Sequence, residues 1–320
     1  MTTAVIYHYY ELNKTYKDNF IFFLNTAIND DAHYFIFISG TCSIDLPNLT
    51  NVDIHFIENK NNDFGAVLAF HKLSKLVRFD NYVFINSSSR GPFLASYFKN
   101  KWYEAFTSQL SDRVGLVGSS INLLHETAIH SIEFGNRHNF DAPYIHVQTN
   151  AYAISAKCYK VLENHNFFDE IGVLDKHQVI SDYEILMSQI LMKSGFIITS
   201  LIPPLTNFSS RRKSVEAIDT SRNGDVLYKS AFYGRTLSPI ECVFVKTNRN
   251  MISDNELCSH TFTALQERNE QNGLDANGLD LLTRVTDFDK KLKLHWLNWK
   301  VFFPISMLII LSYVQDLRLF

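Results

Sequence analysis

The chain has 320 residues, 46% of them hydrophobic and 20% charged, a balance that excludes intrinsic disorder and leaves room for one large domain or two smaller ones. The 30 Lys and Arg against 33 Asp and Glu give a net charge of −3, which excludes a strongly basic nucleic-acid binder. The 4 cysteines, Cys42, Cys158, Cys242 and Cys258, stand far apart without a Cys-x-x-Cys pair, which excludes a disulfide scaffold or zinc knuckle and suits a reducing cytoplasm.

The first residues, MTTAVIYHYY, carry no basic and apolar leader, so a cytoplasmic location is expected. Residues 4–9 (AVIYHY) predict a first strand, and DNFIFFLNTAI (18–28) has the apolar spacing of a helix. HYFIFIS (33–39) and VDIHFIE (52–58) predict two more strands. A helix over 66–77 and a strand over 81–86 follow. Further strands are expected over 113–120 and 144–155, and a helix over 177–195 with Ser181 as its cap and Gly195 as its stop. This alternation argues for a parallel, doubly wound α/β sheet flanked by helices. The polar stretch 206–225 reads as a loop, and 251–292 as helix-biased with two Gly-Leu-Asp turns. The expected division is therefore a catalytic domain over 1–250 and a helical extension over 251–320.

The extension ends in Val301–Gln315, an apolar run shorter than the roughly 20 residues of a spanning helix and interrupted by Pro304. The segment before it is basic and carries Trp296 and Trp299. Residues 294–320 fit either a peripheral helix on the inner face of an anionic membrane or a buried terminal helix or oligomer contact.

Several familiar motifs fail. His125 and His130 in HETAIH are five residues apart, which at about 100° per residue turns them to different helix faces, so they are not read as a zinc pair. No EF-hand, Walker, dinucleotide or Gly-x-Ser-x-Gly sequence is present. Ligands in such sheets bind beyond the carboxyl ends of strands, which directs attention to NKNNDFGA (59–66), FINSSSRGPF (84–93) and APYIHVQTNAYAIS (142–155). SDYEILMS (181–188) and RTLSPIECVFVKTNR (235–249) follow.

In order and spacing these segments resemble a group of bacterial and viral glycosyltransferases of the GT-A fold. The matching elements are Asn59–Gly65, Asn86–Pro92, Pro143–Thr149, the helix with Glu184, and Pro239–Arg249, over about residues 4–250. The resemblance implies a mixed GT-A-like sheet and a hexosyl- or related transferase. Its partners would be a nucleotide-sugar donor and a glycan or lipid-linked acceptor in surface polysaccharide synthesis. A catalytically inactive binding or scaffold member of the same fold is the alternative.

Two departures from the pattern matter. Asn61 or Asn62 replaces a motif glycine, and the central strand ends in Asn86-Ser87-Ser88-Ser89-Arg90 without the usual pair of carboxylates. No cofactor is therefore assigned, and a divalent Mn or Mg ion stays open. Charge on a departing diphosphate still needs donors or cations. Asn86, Ser88 and Arg90 are the candidates at the strand end. Lys246, Arg235 or the Arg211–Lys213 cluster would close from the C-terminal side.

The resemblance places Asp63 on the nucleoside, although it equally suits a helix cap. It places the base near Tyr7, His8 and Tyr9, whose rings either stack on it or belong to the core. Glu184, with Asp182 second, is the expected base for the acceptor hydroxyl. The competing reading is acidic placement in a first helical turn. His146, Gln148 and Thr149 are expected to meet sugar hydroxyls, His146 and Gln148 sharing one strand face, or else to be hydrogen-bonded core residues.

Overall fold

The computed structural model describes residues 1–74, 78–169, 171–211, 224–288 and 290. The chain divides into two compact units, 1–252 and 253–320.

The first unit starts with β1 (Thr3–Tyr10) and α1 (Lys14–Thr26). The helix begins four residues before its apolar run because Asn13 caps it, accepting from the Tyr16 amide at 3.0 Å. β2 (His33–Ser39), β3 (Val52–Ile57), α2 (Phe64–Ser74) and β4 (Asn81–Asn86) follow as their sequences predict, and 75–77 of the expected helix lie outside the described residues. Next come β5 (Ser89–Arg90), α3 (Glu104–Thr107), β6 (Val114–Gly118), β7 (Ile121–Asn122) and α4 (Ile129–Arg137).

The single strand expected over 144–155 is two, β8 (His146–Val147) and β9 (Ala151–Ser155). They are split where Gln148 and Asn150 bond Ser120 and Asn86 through their backbones. After α5 (Ala156–Asn164) comes a composite helix: α6 (Lys176–Val179), a π-helical turn (Ile180–Ile185) and α7 (Leu186–Lys193). Its cap is Asp175, not Ser181. Asp175 and Gln178 exchange backbone-to-side-chain bonds at 2.9 and 3.0 Å, and Ser181 lies inside the helix. Gly195, at φ +89°, follows its end, where left-handed backbone suits glycine. β10 (Ile197–Ser200), α8 (Pro239–Cys242) and β11 (Val245–Lys246) complete the unit.

The seven-stranded sheet has the order β10-β6-β9-β4-β1-β2-β3. It is mixed, because β9 runs antiparallel to both β4 and β6 while the other pairs are parallel. The mixed sheet that the resemblance implied is therefore found, and the parallel sheet read from the strand–helix alternation is corrected at β9. β9 is buried along Ala151–Ile154, so its uniform apolar pattern does not reveal its direction. β5 pairs with β11, and β7 with β8, as two small ribbons.

α1 covers one face of β1. Tyr7 stacks on Phe20 at 5.1 Å and lies tilted against Phe23 at 4.3 Å, and Tyr9 stacks on Phe20 at 4.2 Å. His8, by strand alternation, faces the other side.

The second unit contains α9 (Asp254–Asn272), capped by Ser253 and ended by Gly273 at φ +77°, and α10 (276–288). The second Gly-Leu-Asp is helical, not a turn. Asp275 caps the helix, taking the Gly278 amide at 2.7 Å. No helix among the described residues is long and apolar enough to cross a membrane, and 294–320 lie outside them.

The Tyr7 hydroxyl is buried without a hydrogen-bond partner, and an unsatisfied buried hydroxyl costs about 1–3 kcal/mol. Tyr7→Phe is therefore expected to raise the stability by about 1 kcal/mol in chemical denaturation, with no effect on ligand binding. A loss of stability would show that the hydroxyl has a partner.

Candidate functional site

Chain order and strand order diverge between β1 and β4. From β1 the sheet grows outward through β2 and β3, and then β4 returns to the other side of β1. Such a reversal opens a crevice beyond the carboxyl ends of the two strands. His8 and Asn86 sit there, opposite each other in register.

The loop before α2 brings a carboxylate into this crevice. Asn61 and Asn62 adopt φ +56° and +47°. Asparagine tolerates that left-handed backbone, which explains how it replaces the motif glycine. The Asn61 side chain fastens the loop, donating to Gly172 O at 2.9 Å and accepting from the Leu174 amide at 2.8 Å. A Cβ on Gly65 would lie 2.3 Å from Lys60 O, so the loop closes this tightly only with glycine there. Asp63, its side chain 42% exposed, accepts from Asn86 Nδ2 at 2.5 Å and lies 3.7 Å from His8 Nδ1. His8 Nε2 in turn contacts Ser39 Oγ at 2.7 Å.

Asn86 extends the chain of contacts. Its Nδ2 also reaches Thr149 O at 3.4 Å, and its Oδ1 accepts from the Ser88 amide at 3.1 Å and hydroxyl at 2.5 Å. The Thr149 amide donates to Glu184 Oε1 at 3.4 Å. Asp63, Asn86, Thr149 and Glu184 are thus linked along one wall, with Glu184 half-buried on the π-helical turn. Such turns recur at functional sites.

The positive groups come from the end of the unit. β11 sets Lys246 opposite Ser89. Arg249 is ion-paired with Asp225 and lies over the Tyr228 ring at 5.1 Å. Glu184 interacts electrostatically with both Arg249 and His146. Sequence reasoning did not single out Arg249 as a site residue, although it ends the last motif.

Several expected site residues have other roles. Tyr7 and Tyr9 are sealed against α1 and cannot stack on a base. Burial pushes both phenols well above their ordinary pKa. Arg90 is 4% exposed, and its Nε donates to Asn19 Oδ1 at 2.9 Å, so it braces the interior rather than reaching for phosphate. Asp182, also 4% exposed, is ion-paired with Arg137 and accepts from His138 Nε2 at 2.8 Å. It lies in mid-helix, as does Glu184, so first-turn acidic placement explains neither. Arg235 is held by both carboxylate oxygens of Glu241.

His146 and Gln148 are buried. The His146 Nδ1–H donates to Tyr144 O at 3.0 Å, and Gln148 Oε1 takes the Ser120 hydroxyl. They do not share a strand face, since β8 ends at Val147. Arg211 is exposed, and 212–213 lie outside the described residues.

Among the described residues, the carboxylate bonded at the carboxyl end of β4 is Asp63, held by Asn86. This donor set does not fit a divalent ion gripped by two carboxylates.

No protein-family model and no curated protein sequence matches the chain. Among solved structures, it is similar to the galactosyltransferase LgtC in complex with donor and acceptor sugar analogues. The identity is 10% and the TM-score 0.36, over 62% of this chain and 73% of that one. An active-site mutant of LgtC gives 9% identity and TM-score 0.36 over 62% and 72%.

Asp182→Asn removes a buried charge from its two partners and is expected to cost about 2–3 kcal/mol, toward the low end because Arg137 is half-exposed. Calorimetry reads this, and unchanged stability would remove Asp182 from the framework. Burial, with Lys246 and Arg249 adding to it and Glu184 opposing, pushes the His146 pKa below its ordinary value. The unfolded chain therefore binds this proton more readily. The stability His146 permits is complete above about pH 6.5 and falls as pH drops below it. His146→Gln is expected to flatten that acid limb in melting curves taken at several pH values. An unaltered limb would assign it to other groups.

Proposed function

We propose that the chain is a glycosyltransferase, moving a sugar from a nucleotide-activated donor to a glycan or lipid-linked acceptor. The observation that supports this most is the linked series Asp63–Asn86–Thr149–Glu184 at the reversal point of the sheet. It joins a half-exposed carboxylate suited to ribose hydroxyls or a base N–H to a second carboxylate suited to proton removal.

In this reading the nucleoside lies over His8 and Asp63. Glu184 takes the proton from the acceptor hydroxyl. The hydroxyl oxygen bonds to the anomeric carbon as that carbon's bond to the diphosphate breaks, with inversion. The electron pair leaves on the diphosphate, whose charge is met by Lys246 and Arg249. Surface-polysaccharide synthesis is the proposed setting, consistent with the Trp-bearing basic segment before the apolar terminus.

Titration with a panel of nucleoside diphosphates and nucleotide sugars, followed by turnover assays, tests the proposal. One diphosphate is expected to bind, about tenfold more weakly to Asp63→Asn. Glu184→Gln is expected to keep that affinity and lose about 10²–10⁴-fold in kcat. Binding without turnover would identify a nucleotide-binding member lacking transferase activity. No binding of any nucleotide would overturn the donor site.

A further inference from the structure

Away from the crevice, three side chains from separate places in the sequence converge. His130 and Glu133 stand three residues apart on one face of α4, and His177 is in the first turn of α6. The Nδ1 atoms of His130 and His177 each lie 3.5 Å from Glu133 Oε2, and all three ligand atoms fall within 4.8 Å of one another. Four ligands held tetrahedrally at about 2.1 Å are spaced by about 3.4 Å, so the two nitrogen–oxygen separations are already those of a coordinated set.

A second observation points the same way. His130 Nδ1 and Glu133 Oε2 are buried atoms without a hydrogen-bond partner, although they face each other. Buried polar atoms in native proteins are almost always satisfied. Here two orphans and a third ligand surround one point. His177, its side chain 58% exposed, leaves a path from solvent.

We propose that His130, Glu133 and His177 bind a zinc-class divalent transition-metal ion, with water in a fourth position. Two imidazoles and one carboxylate are a borderline donor set, suited to Zn²⁺ and poorly suited to Mg²⁺ or Ca²⁺. The ion would join α4 to α6 just before the π-helical turn. α4 already packs on that turn through Phe134, in one cluster with Ile185 and with Ala128 just before the helix. The site therefore acts as a clamp on the segment that presents Glu184. It uses none of the residues assigned to the donor crevice and stands independently of the transferase reading.

The sequence hides this set because its two histidines lie 47 positions apart. The nearer candidate, His125, turns away and bonds Thr127 Oγ1 through Nδ1 at 2.7 Å.

The test is titration of untagged, chelator-treated full-length protein with Zn²⁺ by calorimetry and with Co²⁺ by visible spectroscopy. One ion per chain, a cobalt d–d band of low-coordinate nitrogen and oxygen ligation, and a higher melting temperature with zinc are expected. His177→Ala, at an exposed position, is expected to keep the fold by circular dichroism. It should lose at least about 100-fold in metal affinity. Glu133→Gln is expected to weaken binding, and His125→Ala to leave it unchanged. Absence of zinc binding, equal binding by wild type and His177→Ala, or loss of binding in His125→Ala would each overturn the proposal.

Discussion

A buried amide holds together the corner on which the crevice depends. The chain leaves β4 in the protein interior and must turn there, exposing backbone groups that water cannot reach. Asn19, on α1 and fully buried, meets one of these backbone groups and two side chains beside it. Its Nδ2 donates to Ser87 O at 2.9 Å and to Thr247 Oγ1 at 2.8 Å, and its Oδ1 accepts from Arg90 Nε. Thr247 bonds Ser88 O in return, through amide and hydroxyl. One side chain thus fixes the turn after β4, the buried Arg90 and the strand carrying Lys246. A network of this kind is stable only when every member is paired. That is why the corner is rich in Asn and Ser rather than apolar residues.

The same corner explains what was legible in the sequence and what was not. β1, β2 and β4 were readable as apolar aromatic and β-branched runs, since burial on both faces demands them. That property also hid which face of β1 met the crevice. Tyr7 and Tyr9 alternate with His8, and α1 buries the tyrosines while the histidine turns to Asp63. Arg90 looked like a phosphate ligand because arginine after a strand usually reaches solvent. Its partner, Asn19, lies 71 residues earlier and leaves no local signal. Asp63 was legible from its loop because Asn61, Asn62 and Gly65 mark a tight turn whatever the rest of the chain does.

The composite helix shows the limit of periodicity in another way. A uniform 3.6-residue pattern places Asp182 and Glu184 on different faces but does not show which face is occupied. Tertiary partners decide it. Arg137 and His138 come from the end of α4, Arg137 pairing with Asp182 in the interior and His138 bonding to it. Glu184 receives one backbone amide from Thr149, at 3.4 Å. Two carboxylates two residues apart therefore have opposite environments, the arrangement by which proteins divide structural from chemical work between like groups.

α4 stands behind both outcomes. Its C-terminal end supplies the Arg137 cation and the His138 ring that hold Asp182, and its body packs on Ile185 through Phe134. Its first two turns carry His130 and Glu133 to meet His177. The π-helical turn is thus held by α4 along its length: by the His130–Glu133–His177 cluster just before it, by the Asp182 contacts within it and by Phe134 against Ile185 at its end. Widening a helix by one residue per turn sacrifices regular hydrogen-bond geometry, and such a turn persists when its surroundings hold it. The position of Glu184 is accordingly a property of how α4 is anchored, more than of the helix on which the glutamate lies.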